Sequence, residues 1–580
     1  MKLINQLTKA ISVEIFVLFA YIFLVNNYIG NVQNNISADG VGYYDYLPSL
    51  FIHNDLVRKD LSIQKDTAFF SRINSLSAYV NYENGKVNKY PCGTAILEFP
   101  FFAYTYLISD LKNNNDKNGY QYPFHKAIYY AALVYLFLSI IFLKKLLDLY
   151  QIKKYIIFFS QLLLVLATNI TNYTNLDASF SHIYSLFAIT AFFFFVKSYF
   201  LNKKLNHFIY ACLFFGLIIL LRQVNIITIL FVPFLAGSFL QLKTGIVHIL
   251  YNPKKLLLGL FLILTTFSIQ SIFWYLQTGH LFVYSYQGEG FNFFKPEFSN
   301  ILFSYKKGLF IYTPILLISL LGLIWLIYHK KYYLFFTWTF FFIFLTYILS
   351  SWWSWYYGCS YGLRAYIDFF SMFFIIYALM LNAVNLKIKS LLIILSIITI
   401  PINIIQTYQY KEFILDWINM DKDKYWKVFL KTDNKYKGLL WKKTIEENQY
   451  KIIKEIKIGN FTTKKNIKQI VYKLTSSDIY EFNKITFVQI LIDNNFNEQN
   501  NTELFLNIYD TIKPKQQTPY HTHLIQFAEK QFNTTQTGIF NFEISPSNDT
   551  INKTISLEIN SKNDIYTLKN IKLKFLSKND

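Results

Sequence analysis

Apolar residues gather in uninterrupted runs up to about position 405 and then give way to a polar tail. The chain therefore reads as a membrane part followed by a soluble part. A spanning helix needs roughly 17–25 predominantly apolar residues. Runs at 11–28, 128–147, 155–169, 180–196, 208–221, 225–242, 256–276, 309–328, 333–349, 367–381 and 391–405 meet or approach that length. They make eleven spans if the stretch 208–242 is two helices broken near Arg222.

Charge tests that break, because cytoplasmic loops carry an excess of Lys and Arg. With the amino terminus inside, the basic loops hold Lys144, Lys145, Lys153 and Lys154; Lys197, Lys203 and Lys204; Lys243, Lys254 and Lys255; Lys330 and Lys331; and Lys387 and Lys389. All fall on one side only if 208–242 crosses twice. The parity places loops 30–125, 278–307 and 350–366 outside, with the tail from about 408. Within the first loop, 94–108 is apolar but short and contains Pro100, which predicts an interfacial or re-entrant segment. The first run follows Lys2 and Lys9 as a signal peptide would, but it is long and lacks a small-residue cleavage pattern, which predicts a retained anchor.

In the tail the period drops to two. Stretches 485–492, 503–508, 538–544, 554–559 and 566–575 alternate apolar and polar residues between Asn, Asp, Ser and Lys clusters. An antiparallel β-sandwich of roughly 150 residues is the expected fold. Trp417, Trp426 and Trp441 lie in a less regular stretch suited to docking on the membrane surface. The expected fold class is thus a mainly α polytopic bundle over 1–407, with an extracytoplasmic β-sandwich over 408–580.

Composition supports the membrane reading, with 53% hydrophobic and 20% aromatic residues. The net charge of +21 changes little, because the lysines sit in short loops and in the tail. That pattern is topological and gives no reason to expect nucleic acid. Cys92, Cys212 and Cys359 are far apart and lack metal-ligand spacing, so no metal site is expected and any cofactor is left open.

Candidate chemistry lies on the outer side. Ser37-Ala-Asp39-Gly-Val-Gly-Tyr43-Tyr44-Asp45-Tyr46-Leu-Pro48 follows the first span. Its carboxylates Asp39 and Asp45 suit acid-base work on a sugar, its glycines allow a ligand close to the backbone, and Tyr43 and Tyr44 can stack on it. A capped turn with interfacial tyrosines has the same composition. The four arginines of this Lys-rich chain, Arg58, Arg72, Arg222 and Arg364, all fall outside, against the positive-inside bias, as do Lys306 and Lys307. A shared anionic ligand explains that placement, and phosphate matches the planar guanidinium fork. Arg222 lies within an apolar stretch, where an ionisable group is costly; a snorkelling arginine at a helix end is the plainer alternative. The stretch from Ser351 to Asp368 adds Trp352, Trp355, Tyr361 and Arg364, rings that bind sugar faces or lipid headgroups or form an ordinary interfacial belt. Asp177, His182 and Glu289 are lesser candidates, each more often a turn or cap residue. His521 and His523 share one face of an expected strand and do not by themselves make a metal site.

Taken in order, these pieces resemble the GT-C superfamily of membrane glycosyltransferases, and more narrowly protein O-mannosyltransferase and aminoarabinose transferase-like proteins of Bacteroidetes type. The Asp39 motif, Tyr90-Pro-Cys-Gly-Thr-Ala-Ile-Leu-Glu-Phe-Pro100, Arg222, Lys307-Gly-Leu-Phe-Ile-Tyr-Thr-Pro314 and Trp352 to Asp368 carry the likeness over roughly the first 400 residues. The resemblance implies inverting transfer from a polyprenyl-phosphate sugar to a lipid, glycan or protein acceptor at the outer face of the cytoplasmic membrane. It implies Asp39 as base, with Arg222, Arg364 and Lys307 on the phosphate. Asp39 is followed by Gly where the mannosyltransferase pattern has Glu, so donor and acceptor stay open and Asp45 remains a rival base. The competing reading is a transporter or assembly partner that binds lipid-linked glycans without cleaving them.

Overall fold

The computed structural model describes residues 2–30, 35–57, 78–82, 85–111 and 118–440, and in the tail 450–462, 464, 468–475, 478, 485–493, 502–510, 521–526, 538–543, 553–561 and 567–578. Arg58, Arg72 and Trp441 lie outside the described residues. Two compact units result, one of residues 1–411 and 417–430, the other of 412–416 and 431–580.

The first unit is a multi-pass helical bundle. Six described helices are long and apolar enough to cross a membrane: Tyr122–Asp148, Ser181–Asn202, Pro253–Thr278, Tyr332–Ser350, Arg364–Ala383 and Leu386–Lys411. Two of them are central, with 89% of the apolar window of Ser181–Asn202 and of Arg364–Ala383 buried inside the protein. Pro253–Thr278 is only 17% buried in the same sense and presents Leu257, Phe261 and Leu264 outward. A face so apolar and so exposed is stable against lipid, not water. Gly216 brings that helix against Leu205–Leu221, because a Cβ there would lie 2.0 Å from Thr266 Oγ1. Small residues permit this close approach where no hydrophobic effect drives helices together.

Of the remaining runs, the first lies in a 27-residue helix, Lys2–Tyr28, and the others are shorter or broken. Lys154–Leu166 and Leu205–Leu221 are apolar helices of 13 and 17 residues. A break does occur at Arg222, whose backbone is extended (φ −153°, ψ 117°) between Leu205–Leu221 and the 3-10 helix Gln223–Phe231. The expected span 225–242 is not one helix: Gln223–Ala236 and Phe239–Leu250 meet at 117°, with Gly237 at φ +90° in the turn. The run 309–328 is divided into Leu309–Tyr312, Pro314–Ser319 and Leu321–Tyr328. Pro314 lacks the amide that would continue the first turn, so it starts a new helix at its N1 position. Conversely, Gly93–Leu111 runs through Pro100 without interruption.

The second unit is built from strands whose inward positions alternate. Two four-stranded antiparallel sheets form, Tyr450–Thr462, Thr567–Lys578, Ile485–Asp493 and Gly538–Glu543 in spatial order, then Lys468–Thr475, Lys553–Ser561, Thr502–Asp510 and His521–Gln526. Val488, Ile490 and Ile492 point to one face, as period two requires, and are buried with Ile571, Leu573 and Phe575. Val471, Leu474 and Leu557 of the other sheet share that core, making a sandwich. His521 and His523 do lie on one strand.

Candidate functional site

The segment after the first helix is held by a lattice of short-range contacts. Asn35 Nδ2 donates to the Asn175 carbonyl, and Ser179 donates to the Asn35 carbonyl from Oγ at 3.0 Å and from its amide at 3.3 Å. Residues 35–40 are thereby laced to 175–180. Gly40 is required by that packing, since a Cβ would sit 1.9 Å from Ser179 Oγ, and a Cβ on Gly42 would sit 2.1 Å from Tyr90 Cδ2. The glycines thus admit protein side chains, where the sequence suggested room for a ligand. Ala38 adopts φ 47°, a left-handed value that is strained for a residue with a Cβ, immediately before Asp39 opens the helix Asp39–Tyr44. Such strain persists where surrounding contacts over-determine it, which is common at functional sites.

Asp39 and Arg364, 325 residues apart, form an ion pair with Arg364 Nη2 donating to Oδ2 at 2.5 Å. Arg364 is 12% exposed and Asp39 32%, so the carboxylate is the more accessible partner and the guanidinium is enclosed. The guanidinium also lies 5.0 Å over the Phe180 ring. Burial pushes the Asp39 carboxyl up, but Arg364, hydrogen bonds from Tyr90 and Arg364, and the Lys89 charge hold it below the ordinary carboxylate value.

Four residues further on, Asp368 is fully buried on the 3-10 helix Arg364–Phe369. Its Oδ2 accepts from Arg222 Nη1 at 2.9 Å and Asn225 Nδ2 at 2.7 Å, and its Oδ1 from His182 Nδ1 at 2.8 Å. A charge in an apolar bundle needs this degree of pairing. One short helix therefore carries the anchors of both ion pairs. Burial raises the Tyr43 hydroxyl pKa first of all; the Arg222 and Arg364 charges oppose that and the Asp39 charge adds to it. Tyr43 packs on Tyr90 at 4.8 Å between ring centroids. The neighbouring loop bends through positive φ at Tyr357, Gly358 and Gly362, and Gly362 has Tyr312 Cβ only 3.0 Å from where its own Cβ would lie.

Other sequence candidates serve the frame. Asp45 is fully buried and accepts from Tyr79 at 2.7 Å, Ser49 at 3.1 Å and Tyr120, binding three separate segments of the first loop together. Tyr44 is buried and donates to the Gly119 carbonyl at 2.6 Å. Lys307 Nζ is buried on two carbonyls, those of Ser360 and of Trp417, the latter at 2.6 Å. Tyr361 is buried between Tyr312 and Tyr410, its hydroxyl 3.1 Å from Asn403 Oδ1. Trp352 stacks edge-on against Phe291 at 4.9 Å, and Trp355 lies edge-on to Tyr356 at 5.8 Å. Glu289 pairs with Lys89 and accepts from Trp353 Nε1 at 3.2 Å, fastening loop 279–297 beside Tyr90. Trp417 donates to the Tyr410 carbonyl at 2.8 Å, while Trp426 is 54% exposed. Among the described residues, no group of three or more His, Cys, Asp and Glu side chains is placed to hold a metal ion.

Three site groups carried little sequence signal. Asp368 appeared only as the end of the aromatic stretch from Ser351, Lys89 had no motif, and Tyr90 was part of a motif without a role. Asp177, a minor candidate, accepts from Asn172 Nδ2 at 2.7 Å and Ser37 Oγ at 3.5 Å.

No family model matches the chain, and no curated protein matches it. Among solved structures, the chain is similar to the archaeal oligosaccharyltransferase AglB from Archaeoglobus fulgidus in complex with an inhibitory peptide and a dolichol-phosphate (TM-score 0.38, 10% identity, 73% of this chain and 57% of that one). It is also similar to the Archaeoglobus fulgidus oligosaccharyltransferase in the apo form (TM-score 0.39, 11% identity, again 73% and 57%). The chain thus spans less than two thirds of the length of the structures it is similar to.

Proposed function

We propose that this protein transfers a sugar from a polyprenyl-phosphate-linked donor to an acceptor hydroxyl at the outer face of the cytoplasmic membrane. The observation that carries the reading is the pair of scarce arginines, Arg222 and Arg364, each fixed by an aspartate, with the two ion pairs joined through the short helix Arg364–Phe369 and Asp39 partly exposed. A guanidinium fixed on one edge keeps its other N–H groups for an anion, and preorganised cations act where charge develops on a leaving phosphate. Asp39 orients Arg364 and accepts a hydrogen bond from the attacking hydroxyl. The acceptor oxygen bonds to the anomeric carbon as its proton passes to a carboxylate of the site, the bond from that carbon to the phosphate oxygen breaks with inversion, and the phosphate leaves with the electron pair. Lys307 takes no part in this scheme, because its ammonium is already committed to carbonyls in the frame.

Purified protein is expected to bind a polyprenyl-phosphate sugar more tightly than the corresponding free sugar, in equilibrium binding measurements in detergent or nanodiscs. Equal affinity for the two would sink the phosphate assignment. Tight binding with neither transfer nor hydrolysis would favour a transporter of lipid-linked glycans.

A further inference from the structure

Asp39 is an awkward proton acceptor. Its carboxylate is pinned by a guanidinium and held below the ordinary carboxylate range, and a base is most effective when its pKa lies near the working pH. A second carboxylate stands on the facing segment. Asp177 follows the buried turn Ile170–Asn175, and the lacing of 35–40 to 175–180 brings it beside Ser37, two positions before Asp39. It is half-buried, with Asn172 on Oδ2 and Ser37 on Oδ1. The arginine paired to Asp39 lies over Phe180, three residues after Asp177.

Resting on the transfer reading above, we propose that Asp177 is a catalytic residue that takes the proton from the acceptor hydroxyl, while Asp39 positions that hydroxyl and Arg364. In this division the O–H proton moves to an Asp177 carboxylate oxygen as the acceptor oxygen forms its bond to the anomeric carbon and the polyprenyl phosphate departs. Electrostatics agree with the geometry. Burial raises the Asp177 carboxyl to about 6; Asn172, the Arg364 charge and Ser37 oppose that, and the negative charge of Asp39 adds to it. Tyr173, Tyr410 and Cys359 are the uncharged titratable groups around Asp177, and the formal charges near them are those of Arg364, Asp39 and, beside Cys359, Lys307. Two carboxyls whose surroundings drive their pKa values apart are suited to different roles.

The test is transfer from a polyprenyl-phosphate sugar by full-length protein in proteoliposomes, measured from pH 4.5 to 8.5, the window bracketing about 6. For the unaltered protein kcat/KM should rise through an apparent pKa near 6. Asp177→Asn should lower kcat by about 10²–10⁴-fold with little change in KM and abolish that limb. Asp177→Glu should recover part of the rate and restore a limb. Ser37→Ala removes a donor to the charged form, so its limb should move to higher pH even if Asp177→Asn fails to accumulate in the membrane. An Asp177→Asn variant within about threefold of the parent, with the limb intact, or a Ser37→Ala limb that does not move, would overturn the assignment and leave the transfer reading standing. Absence of any transfer by the unaltered protein would overturn both.

Discussion

Replacing Asp39 by Asn should lower kcat by about 10²–10³-fold, the loss typical when one preorganised electrostatic group is removed from a transition state. Asn has nearly the same volume, so the helix Asp39–Tyr44 can still form and the protein should still reach the membrane. What it loses is the charge that fixes Arg364, a guanidinium only 12% exposed, and the oxygen that meets the acceptor. An enclosed cation without its partner reorients or recruits another anion. The same substitution removes a negative charge that raises the Asp177 pKa, so the residual activity should show its acid limb at lower pH. Asp45→Asn is the instructive control, because that carboxylate accepts from Ser49, Tyr79 and Tyr120 in the frame of the first loop. It should cost thermal stability in a detergent melt before it costs kcat per folded molecule. Full activity in Asp39→Asn, with a dead but well-folded Asp45→Asn, would reverse the assignment.

Arg222→Lys should weaken donor binding and transfer together by roughly 1–3 kcal/mol, about 5- to 150-fold, the range for losing charge-assisted hydrogen bonds. Charge is conserved in this change but geometry is not. Asp368 Oδ2 already takes one Nη of Arg222, and a guanidinium can keep that contact while offering its remaining N–H groups to a phosphate. An ammonium on a flexible stem cannot hold both directions at once. The effect should appear in the affinity for the lipid-linked sugar and be absent for the free sugar. Arg222→Lys with unchanged affinity for both would remove Arg222 from the phosphate site and leave it as a structural partner of Asp368.

Much of the architecture was legible because its causes are local. Apolar runs mark Ser181–Asn202 or Leu386–Lys411 whatever lies around them, and alternation marks Ile485–Asp493. Breaks were less legible. Pro100 and Pro314 look alike in sequence, yet one sits inside a continuous helix and the other restarts one. At the site, scarcity singled out Arg222 and Arg364, and position after the first span singled out Asp39. The roles of Lys307 and Tyr361 were illegible, because both depend on which carbonyls and rings fold against them from more than 40 residues away. The same long-range placement hid Asp368, whose partners His182, Arg222 and Asn225 lie 143 to 186 residues distant. Gly40 and Gly42 misled for a related reason: a glycine reports that space is needed, and only the fold reveals that Ser179 and Tyr90 fill it.

The most direct measurement of the central claim is sugar transfer in sealed, right-side-out membrane vesicles carrying the full-length protein, supplied in turn with a polyprenyl-phosphate sugar and with the matching nucleotide sugar. The site described here predicts turnover with the lipid-linked donor, loss of that turnover in Asp39→Asn, and none with the nucleotide sugar. Turnover with the nucleotide sugar and not with the lipid-linked form would contradict it.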